Sequence, residues 1–340
     1  MSRMRAETLE CADVARRFLR QVAQPLAAEG ARLVAGGTHH VEVLARGSSS
    51  HAGTLLRYAL ASHMPFIVSA ALPSIASEAT PSRPGQGSLL VAISQSGASP
   101  DLIAYASARQ RAGARTLALV NAPGSPLGQA CDVEVLLQAG PELSVAATKS
   151  TVAAGLAGLG LVAGYCRAMG DARLQSALES LPERIALALQ QDWTALAALL
   201  PGARAVFIVG RGATLGIAKE IALKISETTG IPALAHSSAE FLHGPLGAVD
   251  GRTPVIGLCS DAQHHDSVAQ TLARAAARGA ATLGAFSGGG GRLPLPAPLE
   301  RFSDALLMLP PAYLAIEAAA LAMGRNPDAP DGLAKVTRTL

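Results

Sequence analysis

Five apolar residues, Leu89-Leu90-Val91-Ala92-Ile93, run without a break and give way to Ser94-Gln95-Ser96-Gly97-Ala98-Ser99-Pro100-Asp101. An unbroken apolar run of this length reads as a strand buried on both faces. Ser99-Pro100-Asp101 reads as N-cap, first helical position and first-turn acid. The same rhythm recurs along the chain. Residues 1 to about 35 predict helix, with Leu9, Val14, Phe18, Leu19 and Val22 near helical spacing. "HVEVLARGSSSHAGTLLRYAL" predicts a strand over 41–45, a Gly-Ser turn and a helix. "MPFIVSAALPSIAS" predicts a second strand and a loop, and "RTLALVNAPGSPLGQACDVEVLLQAG" two more strands around a Pro-Gly turn. Strands alternating with helices imply a parallel sheet covered on both faces.

The pattern is then repeated. "AVFIVGRGATLGIAKEIAL" matches "VEVLARGSSSHAGTLLRYAL" in kind, and one offset of 165 residues relates Gly47 to Gly212 and Leu89 to Pro254. The expected fold class is therefore α/β, two tandem doubly wound parallel-sheet subdomains. The expected organisation is a helical segment over 1–35, a first repeat over 36–170, connecting helices over 171–200, a second repeat over 201–325 and a tail over 326–340. A final helix is expected over 312–323, and Ser287 to Gly291 reads as a surface loop. The second repeat lacks the hydroxyl loop: Cys259-Ser260-Asp261-Ala262 stands where the first has Ser94-Gln95-Ser96-Gly97.

Composition narrows the classes. The 340 residues are 49% hydrophobic but only 3% aromatic, with 34 glycines, which points to closely packed helices and strands. A net charge of +3 and the lack of any basic run or aromatic ladder argue against nucleic acid. No signal-peptide pattern is present, and the uncharged run Ser150–Cys166 reads as a buried helix rather than a membrane span, so a cytoplasmic protein is expected. Cys11, Cys131, Cys166 and Cys259 are scattered and read as reduced thiols. Lysine is scarce: Lys149, Lys219, Lys224 and Lys335 are the only four among 28 basic residues. A lysine kept in such a chain could do work arginine cannot, such as amine chemistry.

Several residues could carry chemistry. Ser48, Ser49 and Ser50 fall in one strand-to-helix turn and Ser94, Gln95, Ser96 and Ser99 in another, both at the carboxyl edge of a parallel sheet. Neutral hydroxyls and backbone N–H groups can hold an anion there; helix capping is the plainer reading for some of them. Lys224 and Glu227 are three apart on a helix expected over 214–229, closed by Gly230. Glu227 then sits in the last turn, where the helix dipole disfavours a charged carboxylate, which suits a general base. A solvated glutamate paired with Lys224 fits the spacing equally. Ser237 and Glu240 form a capping box, and His243 precedes the helix stop Gly244-Pro245, as a proton shuttle or a surface histidine. His39, His40, His264 and His265 read as surface residues. Lys149, near a helix start, would be less odd beside an anion. Lys335 lies in an irregular tail, solvated or folded back over a site. Neither a P-loop nor a dinucleotide fingerprint is present.

"SQSGASPD", "ELSVAATKS", "ALKISE", "EFLHGP" and "GLAK", in this order, resemble the sugar isomerase (SIS) domain family, most closely the isomerase half of glutamine–fructose-6-phosphate amidotransferase. The likeness covers nearly the whole chain and implies a flavodoxin-like pair of SIS subdomains. By position, the resemblance implies that Ser94, Gln95, Ser96 and Ser99 hold a phosphate and that Ser48, Ser49 and Val145 line a sugar. It implies that Glu227 moves a proton between C1 and C2, with Lys224 beside it. His243 would assist ring opening from a neighbouring subunit of a homodimer, and Lys335 would meet the open-chain sugar. Ala98 departs from the family's usual glutamate. About 35 residues precede the first repeat, so no ammonia-supplying glutaminase domain is expected, and the reverse reaction becomes the expected one: glucosamine 6-phosphate to fructose 6-phosphate and ammonia. A fructosamine-6-phosphate deglycase, a galactosamine-6-phosphate deaminase and a non-catalytic sugar-phosphate sensor are the alternatives. No metal, cofactor, nucleic acid or membrane is expected to take part.

Overall fold

In the computed structural model the described residues are 1–77 and 85–335; the last five residues of the expected tail lie outside them. The chain runs α1 (Arg3–Leu9), α2 (Cys11–Gln21), α3 (Ala23–Ala35), β1 (His40–Ala45), α4 (Gly47–His63), β2 (Ile67–Ala70), β3 (Ser88–Ser94), α5 (Pro100–Arg111) and β4 (Arg115–Val120). It continues through α6 (Pro126–Gln129), β5 (Val133–Leu136), α7 (Lys149–Ala168), α8 (Arg173–Glu179), α9 (Leu181–Ala188) and α10 (Thr194–Leu199). The second repeat holds β6 (Val206–Gly210), α11 (Thr214–Thr229), β7 (Ala233–Ser237), α12 (Ser238–His243), β8 (Val255–Cys259), α13 (Ala262–Ala276) and β9 (Thr282–Phe286), followed by α14 (Arg301–Leu306) and α15 (Leu309–Ala322).

These elements form two units. One takes residues 13–141 and 150–179 and carries a parallel sheet of order β2-β1-β3-β4-β5. Every residue of β3 is buried, as its unbroken apolar run predicts. The other takes residues 1–12, 142–149 and 180–335 and carries a parallel sheet of order β7-β6-β8-β9. The first four strands of each sheet follow the same order, so the repeat legible in the sequence is a repeat of topology. The α/β class with two parallel sheets is as expected.

Local chemistry explains most boundaries. Gly230 ends α11 with φ +73°, a left-handed conformation that costs a glycine little, and its N–H donates to the Ser226 carbonyl at 3.2 Å. Ile217, Ile221 and Ile225 face inward, as their spacing predicts. Three differences stand out. The N-terminal stretch is three helices, not one, and α3 restarts just before Pro25, which only a first turn accepts easily. α15 begins at Leu309, ahead of the expected residue 312, because Pro310 and Pro311 sit in its first turn, where missing N–H groups cost nothing. His40 and His264 are not free surface residues: His40 meets Ser69 Oγ at 2.8 Å and His264 meets Asp261 at 3.0 Å.

The low aromatic content has its counterpart in the packing of α3 on α7. A Cβ at Gly30 would stand 2.2 Å from the Leu161 carbonyl oxygen, and one at Gly164 would stand 2.4 Å from Ala27 Cα. Both obstacles are backbone, so neither can swing aside. Gly30→Ala should therefore force the helices apart and cost about 1–3 kcal/mol, read as a lowered urea midpoint; an unchanged midpoint would mean that this contact is not close.

Candidate active site

In the first-repeat unit, β1 and β3 are neighbours, with Ala45 opposite Ile93. Both strands therefore deliver their following turns to the same carboxyl edge, where the strand order reverses. α4 begins at Gly47 with Arg46 as N-cap, so Ser48, Ser49 and Ser50 occupy its first turn rather than the cap. Ser99 is the N-cap of α5, yet its hydroxyl makes no capping hydrogen bond. Gly97 turns the loop with φ +60°, and a Cβ there would strike the Ser125 side chain at 2.3–2.5 Å. Ser94 Oγ accepts the Gly97 N–H at 3.1 Å and Ser96 Oγ the Ala98 N–H at 3.4 Å. Those backbone donors are thus engaged by the Ser94 and Ser96 oxygens. Gln95 and Ser96 are half-buried and Ser94 is buried. Arg46 and Asp101 form an ion pair that ties the start of one loop to the end of the other. The first-turn acid read from the sequence therefore holds the partner loop as well as facing the helix dipole.

In the second-repeat unit, α11 carries a charged triad. Lys224 is fully buried; its Nζ donates to Glu227 Oε2 and lies 3.7 Å from Glu220 Oε1. Glu220 is buried and also accepts the Tyr313 hydroxyl at 3.2 Å. Burial alone would push the Lys224 amine down, but Glu220 and Glu227 together hold it above its ordinary value. Lys224 is thus a fixed cation, and Glu227, with 22% of its side chain exposed, is the member of the triad that can reach solvent. The pairing that the spacing of three residues predicts is thus formed. The capping box forms as expected, with Ser237 Oγ accepting the Glu240 N–H at 3.2 Å. His243 ends α12 and is exposed.

The same unit gathers residues 3–10 and 328–335 around residues 142–149. Lys335 Nζ donates to Glu142 Oε2 at 3.0 Å and to the Ser144 carbonyl at 2.6 Å. Val145 is half-buried, and its N–H donates to the Asp328 carbonyl at 3.0 Å. The Asp328 carboxylate accepts the N–H groups of Arg3 and Met4, each at 2.8 Å, at the start of α1. Glu7 accepts the N–H groups of Leu143 and Ser144. Lys149, which opens α7, is buried and paired at 2.7 Å with Glu10; this is the anion its position called for.

Of the residues in these two clusters, the sequence singles out Lys149, Lys224, Glu227, Lys335 and Val145, whereas Glu142, Glu220, Glu7, Glu10 and Asp328 are not marked by it. Glu142 lay inside the quoted segment "ELSVAATKS", and Glu220 stood four residues before Lys224; the rest had no local signal. In the second repeat, Asp261 caps α13, its carboxylate accepting the His264 N–H at 2.8 Å. The loop that lacks hydroxyls thus serves its own helix.

Glu7 provides a pH test of this cluster. Burial pushes its carboxyl above the ordinary 4.5, the Leu143 N–H opposes that, and the charge of Glu142 adds to the rise. A raised native value means that ionised Glu7 weakens the fold: its stabilisation is complete below 4.5 and is lost as pH climbs through the native value. Glu7→Gln should therefore melt above the parent chain at pH 7 and lose that advantage below pH 4.5. Melting curves across this range give the answer, and a difference independent of pH would contradict it.

Comparison with known proteins identifies the family and the fold. The SIS domain model matches residues 37–163 and 199–287. A glutamine–fructose-6-phosphate aminotransferase (isomerizing) of Gluconobacter oxydans is 32% identical over 313 residues, which are 87% of this chain and 51% of that protein. The chain thus spans about half the length of this relative. A proposed phosphosugar isomerase from Silicibacter pomeroyi DSS-3 superposes with a TM-score of 0.87 at 35% identity, over 96% of this chain and 100% of the other. A glucosamine-6-phosphate deaminase from Thermotoga maritima shares the fold, with a TM-score of 0.81 at 19% identity over 99% and 100% of the two chains. With more than half of its length matched by the family model and this fold in both repeats, the chain belongs to the SIS domain family.

Proposed function

We propose that this chain isomerises a phosphorylated sugar between aldose and ketose forms and that its specific reaction is the deamination of glucosamine 6-phosphate. The observation that carries the reading is Glu227: a solvent-reachable carboxylate in the last turn of α11, bonded to a buried ammonium that stays charged. Such a carboxylate can take a carbon-bound proton and return it one carbon away.

In this reading the phosphate dianion is assigned to Ser94, Gln95, Ser96 and Ser99, with Ser48 and Ser49 beside them at the same sheet edge. Hydroxyl donors suit that task, because Ser94 and Ser96 already use their oxygens as acceptors. His243 opens the pyranose; its exposure at the end of α12 supports delivery to a neighbouring copy in a homodimer. Glu227 removes the proton from C2 of the open aldehyde and gives it back at C1, which leaves an imine at C2. Water adds to the imine, ammonia leaves, and fructose 6-phosphate remains. Lys224 holds Glu227 in place through the proton transfer. Lys335 and Val145, held on the 142–149 segment, are assigned to the open-chain sugar.

The test is ammonia release from a panel of phosphorylated amino sugars and fructosamines, with fructose 6-phosphate assayed alongside. Glucosamine 6-phosphate should be turned over. Glu227→Gln should lower turnover about 10²–10⁴-fold while leaving the affinity for a non-reacting phosphorylated sugar alcohol unchanged. Loss of both together would remove Glu227 from the proton-transfer role. Tight binding without turnover on any member of the panel would make the protein a sensor.

A further inference from the structure

Glu142 takes no part in the reaction just described, yet its side chain is completely buried. Its two oxygens are divided. Oε1 accepts the Thr148 N–H at 2.9 Å, and Oε2 accepts from Lys335 Nζ at 3.0 Å. The second acceptor of that amine, the Ser144 carbonyl, lies two residues away on the same segment. A lysine in an irregular tail has a four-carbon stem and would otherwise sample many rotamers. Here two acceptors on one short stretch of backbone fix the amine, and about a quarter of the side chain stays open to solvent.

The acceptors are themselves braced. Glu7 holds the Leu143 and Ser144 N–H groups from α1, and Glu10 pairs with Lys149 at the far end of the segment. Asp328 secures the tail seven residues before Lys335, through its carboxylate on α1 and its carbonyl on Val145. A buried carboxylate without a cation is costly, so Glu142 and Lys335 depend on each other. The charged groups around the pair are Glu7, Lys149 and Glu10, and the field of Glu142 also reaches Lys224.

We propose that Glu142 is the positioning residue of Lys335: its buried carboxylate, with the Ser144 carbonyl, sets the tail amine in the one place from which it meets the open-chain sugar. The sugar in this statement rests on the isomerase reading; the contact itself does not.

Two measurements on the full-length protein test it. The first needs no activity. Each lysine is labelled with trinitrobenzenesulfonate at pH 8 and quantified by peptide mass spectrometry, with Lys219 as internal reference. Lys335 should react slowly in the parent chain and about tenfold faster in Glu142→Gln, the loss of one charge-assisted hydrogen bond, while Lys219 keeps its rate. Glu142→Asp keeps the charge on a shorter arm and should fall between the two; it also carries the comparison if the amide variant does not fold. Equal Lys335 rates in all three overturn the proposal. The second is kinetic. Glu142→Gln should lower kcat about tenfold or more with KM within about twofold, as expected when a group acting in the transition state is displaced, and Glu142→Asp should recover part of it. Faster labelling with unchanged kcat would also overturn the proposal. A parent chain that turns over no phosphosugar would instead fail the isomerase reading, and labelling would still decide the contact.

Discussion

An ammonium can be buried only where carboxylates meet it, and that requirement organises the second-repeat unit. Lys224 has Glu220 and Glu227, Lys149 has Glu10, and Lys335 has Glu142. The carboxylates of Lys224 lie on its own helix, α11, whereas Glu10 joins the start of α7 to the end of α1 and Glu142 joins an irregular tail to the 142–149 segment. This offers a reason for lysine in a chain that otherwise prefers arginine. Arginine spreads its charge over a planar fork with five donors, whereas lysine presents a compact point charge. The sites observed offer one or two oxygens at a single point, which is the lysine geometry.

The first-repeat unit meets the opposite problem with neutral groups. The serine-rich stretches 48–50 and 94–99 carry no formal charge, and Arg46 at that edge is paired with Asp101. An anion held by such loops would be bound through directed hydroxyl donors and oriented backbone rather than by a counter-charge. The two copies of one topology have thus diverged at the same structural position. Where the first has the hydroxyls of Ser94 and Ser96 after β3, the second places Asp261 after β8, and its carboxylate caps α13 and pairs with His264.

What could be read from the sequence follows the range of the forces involved. Strand runs, helix periodicity, the Gly230 stop and the Ser237–Glu240 box act within a few residues, and they were legible. So was the Lys224–Glu227 pair, because a helix brings residues three apart together. The repeat was legible because a topology copied at a fixed offset leaves matching apolar runs. The brace around residues 142–149 was hidden, since its partners stand far apart in the chain: Glu142 and Lys335 are separated by 193 residues, and Arg3 and Asp328 by 325. No local pattern marks a glutamate whose partner is a tail lysine. The start of α15 was placed too late because proline reads as a breaker, whereas Pro310 and Pro311 are accommodated in its first turn, and the breaks that divide residues 1–35 into three helices carry no proline or glycine.

The long-range brace also explains why the unit boundary ignores the order of the chain. α1 precedes the first repeat, and residues 142–149 follow it, yet both cluster with the second. Apolar burial alone gives no reason for this, because α1 is a seven-residue helix and short helices are marginal on their own. Directional contacts do give one. Asp328 satisfies two N–H groups at the start of α1, where a helix has no internal acceptors, and Glu7 near its other end takes two more from residues 143 and 144. Arg5 and Ser2 add contacts to the buried Glu317 of α15. The contacts to Asp328 and Glu317 use charged acceptors, the stronger class of hydrogen bond. A short helix whose apolar anchor is the buried Met4 is thus also held by its polar ends, and it is this helix that contacts the segment on which Lys335 rests.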